Sequence, residues 1–190
     1  MPFLLQNQSH ELLNKEIPDI SGKTLHEVSI NKEYFLGKVT LINFWSIGCQ
    51  PCMREIHFLN QLSADYNDRP FQILGIAPHS RQHLLDFLSE KYSPYSNMRK
   101  YGSITQIHFE LLPEGETSKT SESDTDIHFT ITHDCDSLSK IFKVKAYPTN
   151  YLVDKEGIIR YVGVGYTNEP DDSKLQQIYR EEIEKQLQLE

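Results

Sequence analysis

The sequence predicts an α/β fold with a central mixed sheet and helices on both of its faces. Residues 39–45 and 71–77 form almost continuous β-branched, aliphatic and aromatic runs, which are typical of strands buried on both sides. Apolar residues at helical spacing follow each run, and this strand–helix–strand–helix order favours parallel strands joined by crossover helices. Residues 149–153 and 158–164 flank a short loop that contains Gly157, a pattern that indicates an antiparallel hairpin.

Length and composition narrow the choice of function. A chain of 190 residues with 38% hydrophobic residues is long enough for one complete core, so we expect a single domain over residues 1–190. Its 19 basic and 27 acidic residues give a net charge of −8, which argues against a nucleic-acid partner because phosphate binding needs a basic face. No stretch approaches roughly 18 consecutive apolar residues, so we expect no membrane span in this chain.

Residues 1–38 are expected to form an extension before the first long strand. Within it, residues 17–38 are interrupted by proline and glycine and hold short apolar stretches, which predicts a hairpin-like lead-in. The first residues lack the basic region and the apolar run of a signal peptide, so we expect no targeting segment here. We therefore expect either a cytoplasmic protein or a chain from which an export signal was removed.

The helices follow from the spacing of apolar residues. Pro51 suits the first turn of a helix, and an apolar stripe continues from there to about Tyr66. A second stripe covers residues 84–88, and a short helix is indicated near residues 138–142. A last helix is expected at about residues 172–188, with an apolar stripe formed by Leu175, Ile178, Tyr179 and Ile183.

An insertion is expected at about residues 93–126, between the second and third predicted strands. Its tract 114–126 holds five acidic residues, one lysine and no apolar residue, which predicts a solvated loop. These acids lack the regular alternation and the final glutamate of an EF-hand calcium loop. Residues 127–133 then alternate in the manner of a strand, and we expect them to be the third parallel strand.

Cys49 and Cys52 carry the clearest chemical signal in the sequence. They lie directly after the first buried strand, where Pro51 opens a helix. The first turn of a helix has unpaired N–H groups and a partial positive charge, both of which favour a thiolate. Cys49, at or before that turn, is therefore predicted to be the nucleophile, with a pKa below the value of about 8.5 for a free thiol. Cys52, one turn further along, is predicted to be the shielded, resolving thiol.

A metal site is the alternative role for the same cysteines. Structural zinc needs four ligands, and the chain offers one cysteine pair with His133 or Cys135 as distant partners. The carboxyl ends of parallel strands meet at one edge of a sheet, so His133 and Cys135 are placed to approach Cys49 and Cys52. A redox role fits a position between strand and helix better, and we expect no metal and no cofactor. Cys135 is expected to be an idle thiol.

Several motifs in order along the chain indicate a family: Pro18-Asp19, Gly37-Lys38-Val39, Asn43-Phe44-Trp45, Cys49-Gln50-Pro51-Cys52, Tyr147-Pro148-Thr149, Asp154 and Gly157. Over about residues 17–165, apart from 93–126, the chain resembles the thioredoxin superfamily, and most of all its TlpA/ResA-type thiol–disulfide oxidoreductases. The resemblance implies a three-layer thioredoxin-like fold, with three parallel strands and a C-terminal antiparallel hairpin, and a reversible Cys49–Cys52 disulfide. It implies protein thiol or disulfide substrates and a redox partner protein. It favours the bacterial cell envelope if an export signal was removed.

The resemblance also assigns supporting roles around the cysteine pair. Pro148 is expected to form a cis peptide bond beside the disulfide, and the backbone of Tyr147 to meet an extended substrate segment. Trp45 is expected to wall the cleft, with its indole N–H on Asp134 or Asp136, and plain burial in the core is the alternative. The predicted site is completed by Asn43, Gln50 and Pro51.

Three positions depart from the family pattern. Gly48 replaces the aromatic residue that usually precedes the first active-site cysteine, which implies a barer rim. Gln50 is neutral at a position where an acid would oppose the thiolate and raise its pKa. Asn43 stands where thioredoxin has a buried aspartate that accepts a proton, and an amide does not take that role. Glu55 is a candidate for this task, but we expect it to be a charge on the helix surface.

Two other classes of protein with similar folds are kept as alternatives. Thiol peroxidases have a threonine three residues before the reactive cysteine, a place that Ser46 fills only loosely. Copper-delivery proteins carry one more residue between their cysteines than this chain does. A metal-binding module that uses Cys49, Cys52 and His133 or Cys135 is therefore the second hypothesis, and peroxidase activity is the third.

Overall fold

The lead-in before the first long strand is a small hairpin, as predicted. Strand β1 (Gly22–Lys23) pairs antiparallel with β2 (Ser29–Ile30), and a 3₁₀ turn (Lys32–Phe35) follows. An isolated bridge between Glu16 and Ile158 ties the segment before this hairpin to the turn near the end of the main sheet. The computed structural model describes four stretches of the chain, residues 10–88, 130–132, 136–166 and 173–189.

The main sheet has five strands, three of them parallel. Their order across the sheet is β5-β4-β3-β6-β7. β3, β4 and β5 run parallel, β6 is antiparallel to β3, and β7 is antiparallel to β6. This confirms the predicted mixed sheet with its C-terminal hairpin. The strands are β3 (Val39–Phe44), β4 (Phe71–Ile76), β5 (Thr130–Thr132), β6 (Thr149–Val153) and β7 (Ile159–Val164).

Helices cover both faces of this sheet, which confirms the predicted three-layer arrangement. Successive residues of β3 point to opposite sides, so Leu41 belongs to one apolar cluster and Ile42 to the other. The cluster of Leu41 also contains Leu59, Leu84 and Ile183, and the cluster of Ile42 contains Ile17, Ile30 and Leu138. The helices are α1 (Gln50–Asp65), α2 (Arg81–Leu88), α3 (Asp136–Ile141) and α4 (Ser173–Gln188). Among them, none combines the length and the apolar character needed to cross a membrane.

The observed elements end close to the predicted limits. β3 and β4 each end one residue earlier than the apolar runs suggested, at Phe44 and Ile76. β5 lies within the strand predicted at residues 127–133, whose other residues lie outside the described parts of the chain. The predicted insertion at about 93–126 also lies outside them. A single domain over the whole chain therefore stays a prediction.

The turn between β6 and β7 is organised by one buried carboxylate. Asp154 accepts hydrogen bonds from the backbone N–H groups of Glu156 at 3.0 Å and Ile158 at 2.8 Å. Its second oxygen lies 2.5 Å from Nε of Arg160. Gly157 completes the turn with φ +83°, a left-handed conformation that favours glycine. The turn is thus fixed by the aspartate side chain as well as by backbone pairing.

Replacing Asp154 with alanine is expected to lower the free energy of unfolding by about 2–4 kcal/mol, because two backbone N–H groups and Arg160 lose a charged acceptor. Urea unfolding monitored by circular dichroism measures the change. The control is Asp19→Ala, which removes a carboxylate 3.1 Å from Lys32 but with 95% of its side chain exposed. That exposed pair is expected to contribute less than about 1 kcal/mol. Equal losses in the two variants would contradict the role given to the turn.

Candidate active site

Three loops meet at one edge of the sheet because of the strand register. Phe44, the last residue of β3, pairs with Ile76 on β4 and with Thr149 on β6. The loop before α1, the loop after β4 and the residues before β6 therefore lie side by side. The Tyr147–Pro148 peptide bond at this edge is cis, as the family resemblance implied. This edge holds the residues predicted to form the site.

Cys49 caps the amino end of α1. It is the residue immediately before the helix, with extended backbone angles, and its Sγ accepts a hydrogen bond from the N–H of Cys52 at 3.3 Å. Pro51 lies in the first turn, where a missing N–H has no cost. The two cysteines are joined as a disulfide with their Cα atoms 5.3 Å apart. The sulfur of Cys49 thus faces the unpaired N–H groups of the helix, as the sequence argument required.

The two sulfur-bearing residues differ in their exposure to solvent. Cys49 is partly exposed, and the adjacent Gln50 is exposed. Cys52 has only 1% of its surface exposed and belongs to the core cluster. Among the described residues, Cys49 is therefore accessible from solution, whereas Cys52 is shielded from it.

The backbone explains why Gly48 departs from the family pattern. Its φ is +112°, in the region that residues with a Cβ atom rarely adopt. A Cβ atom at this position would have no other atom within 4 Å, so the surroundings are open and the restriction lies in the backbone alone. An aromatic residue would therefore be strained in this loop, and the rim before Cys49 is bare as expected.

His79 holds the loop that leads to the cysteine pair, and sequence reasoning missed it. The N–H of Ile47 donates to Nε2 of His79 at 3.0 Å, which makes Nε2 the unprotonated ring nitrogen on the basis of hydrogen-bond geometry. The hydroxyl of Ser46 lies 3.2 Å from the same nitrogen, and the ring packs edge-on against His83. His79 follows β4 by three residues, at the sheet edge shared with β3, and this position in the sequence could have identified it as a residue near the cysteine pair.

Glu55 is buried, and its prediction as a charge on the helix surface was wrong. Its side chain is 0% exposed. It accepts hydrogen bonds from Nδ2 of Asn43 at 2.9 Å, Nδ2 of Asn150 at 2.8 Å and the hydroxyl of Tyr179 at 3.4 Å. Glu55 is buried because α4 packs against α1 and covers a side of that helix that the sheet leaves open. Glu55 follows Cys52 by three residues, which puts the two on the same side of α1.

Asn43 links the sheet to this carboxylate. Its Nδ2 donates to Glu55 and also to Oδ1 of Asn150 at 2.8 Å. Its own Oδ1 is buried and has no hydrogen-bond partner among the described residues. At this place on β3 the chain has an amide, and the carboxylate that it contacts comes from α1. Asn150, like Tyr179, was not singled out from the sequence.

The other predicted residues are placed as follows. Trp45 is fully buried, with its ring 6.1 Å from that of Phe87, and its Nε1 has no hydrogen-bond partner within the described parts of the chain. Tyr147 is half-buried, and its hydroxyl lies 3.3 Å from Oγ of Ser139. Outside the described residues lie Asp134, His133, Cys135 and the side chain of Asp136, so the indole hydrogen bond and the metal site stay predictions.

Comparison with known families agrees with this architecture. Residues 13–162 match the model of the AhpC/TSA family. The chain belongs to the AhpC/TSA family. One curated relative of this AhpC/TSA-family chain is the thioredoxin-like protein YneN of Bacillus subtilis, 24% identical over 152 residues, which are 80% of this chain and 71% of YneN.

A second curated relative is the thiol-disulfide oxidoreductase ResA of Bacillus thuringiensis. It is 30% identical over 64 residues, and the match spans 34% of this chain but only 37% of that relative. A crystal structure of a thiol:disulfide interchange protein of the thioredoxin family from Chlorobium tepidum has a TM-score of 0.57 at 17% identity, covering 90% of this chain and 95% of the other. These similarities confirm the predicted thioredoxin-like fold and the predicted relationship of this AhpC/TSA-family chain to ResA-type proteins.

Proposed function

We propose that this AhpC/TSA-family chain is a thiol–disulfide oxidoreductase that exchanges disulfides with protein thiols through Cys49 and Cys52. The observation that carries the proposal is the unequal cysteine pair at the start of α1. Cys49 is partly exposed with its Sγ toward the helix N–H groups, and Cys52 is buried beside it. A thiolate is the attacking species in disulfide exchange, and a helix amino terminus stabilises it.

In the first step, the Cys49 thiolate attacks one sulfur of a substrate disulfide. A bond forms between Cys49 and that sulfur, the substrate S–S bond breaks, and the other substrate sulfur leaves as a thiolate. The product is a mixed disulfide between Cys49 and the substrate. The bare rim at Gly48 supports this step, because an extended substrate segment approaches the sulfur without meeting a side chain there.

In the second step, Cys52 loses its proton and attacks the sulfur of Cys49. The Cys49–Cys52 bond forms, the mixed disulfide breaks, and the second substrate sulfur leaves, so two electrons have passed from the chain to the substrate. We assign the proton to Glu55, which is buried on the same side of α1 as Cys52. The reverse sequence oxidises a substrate dithiol, and a redox partner protein restores the starting state.

The loop contributions are assigned as supporting roles. Tyr147 and the cis-Pro148 lie at the same sheet edge as the disulfide, and the backbone of Tyr147 is assigned to pair with an extended substrate segment. Trp45 fills the core beneath the loop. The reaction as written exchanges only thiols and disulfides, so it draws on no bound cofactor. The two curated relatives, a thioredoxin-like protein and a thiol-disulfide oxidoreductase, support the same class of chemistry for this chain.

An equilibrium redox titration tests the proposal. The chain is incubated with a series of dithiothreitol ratios, quenched and counted for free thiols by mass spectrometry. We expect one two-electron transition that persists in Cys135→Ser and is absent from Cys49→Ser. A chain with no two-electron transition would overturn the proposal. Peroxide consumption much faster than disulfide exchange would favour a peroxidase instead.

A further inference from the structure

Four buried polar side chains form a connected cluster beneath the cysteine pair. They come from four different elements: Asn43 from β3, Glu55 from α1, Asn150 from β6 and Tyr179 from α4. Each is exposed by 1% or less. Buried polar groups are costly unless they are paired, so the bonds among these four decide whether the charged form of Glu55 is tolerated.

The hydrogen bonds around one oxygen of Glu55 have a defined direction. Nδ2 of Asn150 donates to Oε1 of Glu55 at 2.8 Å and to the hydroxyl oxygen of Tyr179 at 2.7 Å. The Tyr179 hydroxyl accepts that bond and donates its own hydrogen to the same Oε1 at 3.4 Å. Asn150 and Tyr179 are thus hydrogen-bonded to each other, and both donate to the carboxylate of Glu55.

The hydroxyl of Tyr179 stays a donor at any pH of interest. Burial in the first place, and the charge of Glu55 in the second, raise the pKa of Tyr179 well above its ordinary value of 10.0. The neighbouring Tyr161 on β7 behaves alike, since burial and then the charges of Glu182 and Glu55 raise its pKa to about 12. Titratable groups beside Glu55 in the described chain include these two tyrosines, which stay protonated, and Cys52 three residues earlier on the same helix.

We propose that Asn150 and Tyr179 are positioning residues for Glu55: they hold its carboxylate in the ionised form and so set the pH at which it accepts the Cys52 proton. The proposal rests on the proposed function, in which Glu55 is that acceptor. Hydrogen bonds to the charged form of an acid favour that form, whereas burial without them favours the neutral acid. Removing a donor therefore makes Glu55 protonated over a wider range of acidic pH.

The test uses the full chain in a Cys135→Ser background, so that only the active-site thiols react. The reduced protein is mixed with an aromatic disulfide, dithiobis(nitrobenzoate), and released thionitrobenzoate is followed over a series of pH values. The first equivalent leaves when Cys49 attacks, and the second leaves when Cys52 closes the protein disulfide. In Tyr179→Phe we expect the acid limb of the second phase to move up by about half to one pH unit, the effect of one lost donor to a charged group. The first phase should be unchanged.

The matched control is Tyr151→Phe. This variant also loses a fully buried hydroxyl, which donates to the carbonyl of Phe142 at 2.6 Å and belongs to the cluster on the opposite face of the sheet. We expect lower stability in both variants but a displaced acid limb only in Tyr179→Phe. Asn150→Ser, which removes the shorter bond to Glu55, should move the limb in the same direction and provides a second variant if the first does not fold.

The outcomes separate the two proposals. If the parent protein releases one equivalent and never the second, the exchange reaction itself fails. If it releases both, and Tyr179→Phe and Asn150→Ser leave the acid limb in place, the exchange stands and the positioning role is wrong. A limb that moves equally in Tyr151→Phe also overturns the positioning role, because the change would then follow from lost stability alone.

Discussion

Cys52→Ser is expected to accumulate a mixed disulfide between Cys49 and a substrate thiol, whereas Cys49→Ser accumulates almost none. In the first variant, the exposed Cys49 at the start of α1 still attacks but nothing resolves the product. In the second variant, the remaining thiol is 1% exposed and away from the surface that a substrate reaches. Non-reducing electrophoresis followed by mass spectrometry measures the trapped species, and we expect at least a tenfold difference between the variants, about 1.4 kcal/mol.

The control for trapping is Cys135→Ser combined with each active-site variant. If Cys135 is idle, its removal leaves the amount of trapped product unchanged. The rate of alkylation by iodoacetamide gives an independent measure, because it reports the thiolate fraction and the exposure of each cysteine. Equal alkylation rates for Cys49 and Cys52 at neutral pH would show that the cap geometry does not distinguish the two thiols.

Glu55→Gln is expected to slow the closing step by about 100-fold at neutral pH, the lower end of what general base catalysis contributes. The glutamine side chain has nearly the same shape as glutamate but accepts no proton. Its NH₂ group takes the place of one carboxylate oxygen, so it points N–H groups either toward Asn43 or toward Asn150 and Tyr179. The second phase of thionitrobenzoate release measures this rate. The attack by Cys49 should change far less, because that thiolate is stabilised by the helix terminus.

Glu184→Gln is the matched control for this variant. Glu184 lies on α4 in a partly exposed pair with Arg69, with 38% of its side chain accessible. Its substitution removes the same charge from the chain without touching the buried cluster, so both phases should keep the parent rates. If Glu55→Gln also keeps them, the proton of Cys52 goes elsewhere and the assignment of Glu55 as acceptor is wrong.

The sheet and the cysteine pair were predictable because their signals are local in the sequence. Two continuous apolar runs, at β3 and β4, identify central buried strands, and the glycine-containing loop at Gly157 identifies the final hairpin. The capping role of Cys49 follows from a proline in the first turn of a helix that begins shortly after a strand. These features depend on a few neighbouring residues, so no knowledge of the tertiary fold was needed.

The buried cluster was not predictable because its members are far apart in sequence. From its spacing along α1, Glu55 is expected to be a charge on the helix surface. It is buried because α4 covers that side of α1, and no feature of the residues near position 55 indicates this packing. Tyr179 was recognised only as part of an apolar stripe, and its hydroxyl partner lies 124 positions earlier in the chain. Asn150 lies within β6, a strand of five buried residues, and its polar side chain was the one available indication of the cluster.

The origin of the cluster in four elements has a consequence for biosynthesis. A ribosome completes the cysteine pair and the carboxylate of Glu55 while Tyr179 still lies 124 residues ahead. A nascent chain that ends shortly after Glu55 carries the two active-site thiols but lacks α4. This helix covers Glu55 and supplies one of its hydrogen-bond donors, Tyr179. The partly made protein therefore has reactive sulfur without the complete environment that governs it. Under the proposed role of Glu55, the environment of the two thiols is complete only once α4 packs over that carboxylate, which joins maturation of the site to a late step of folding.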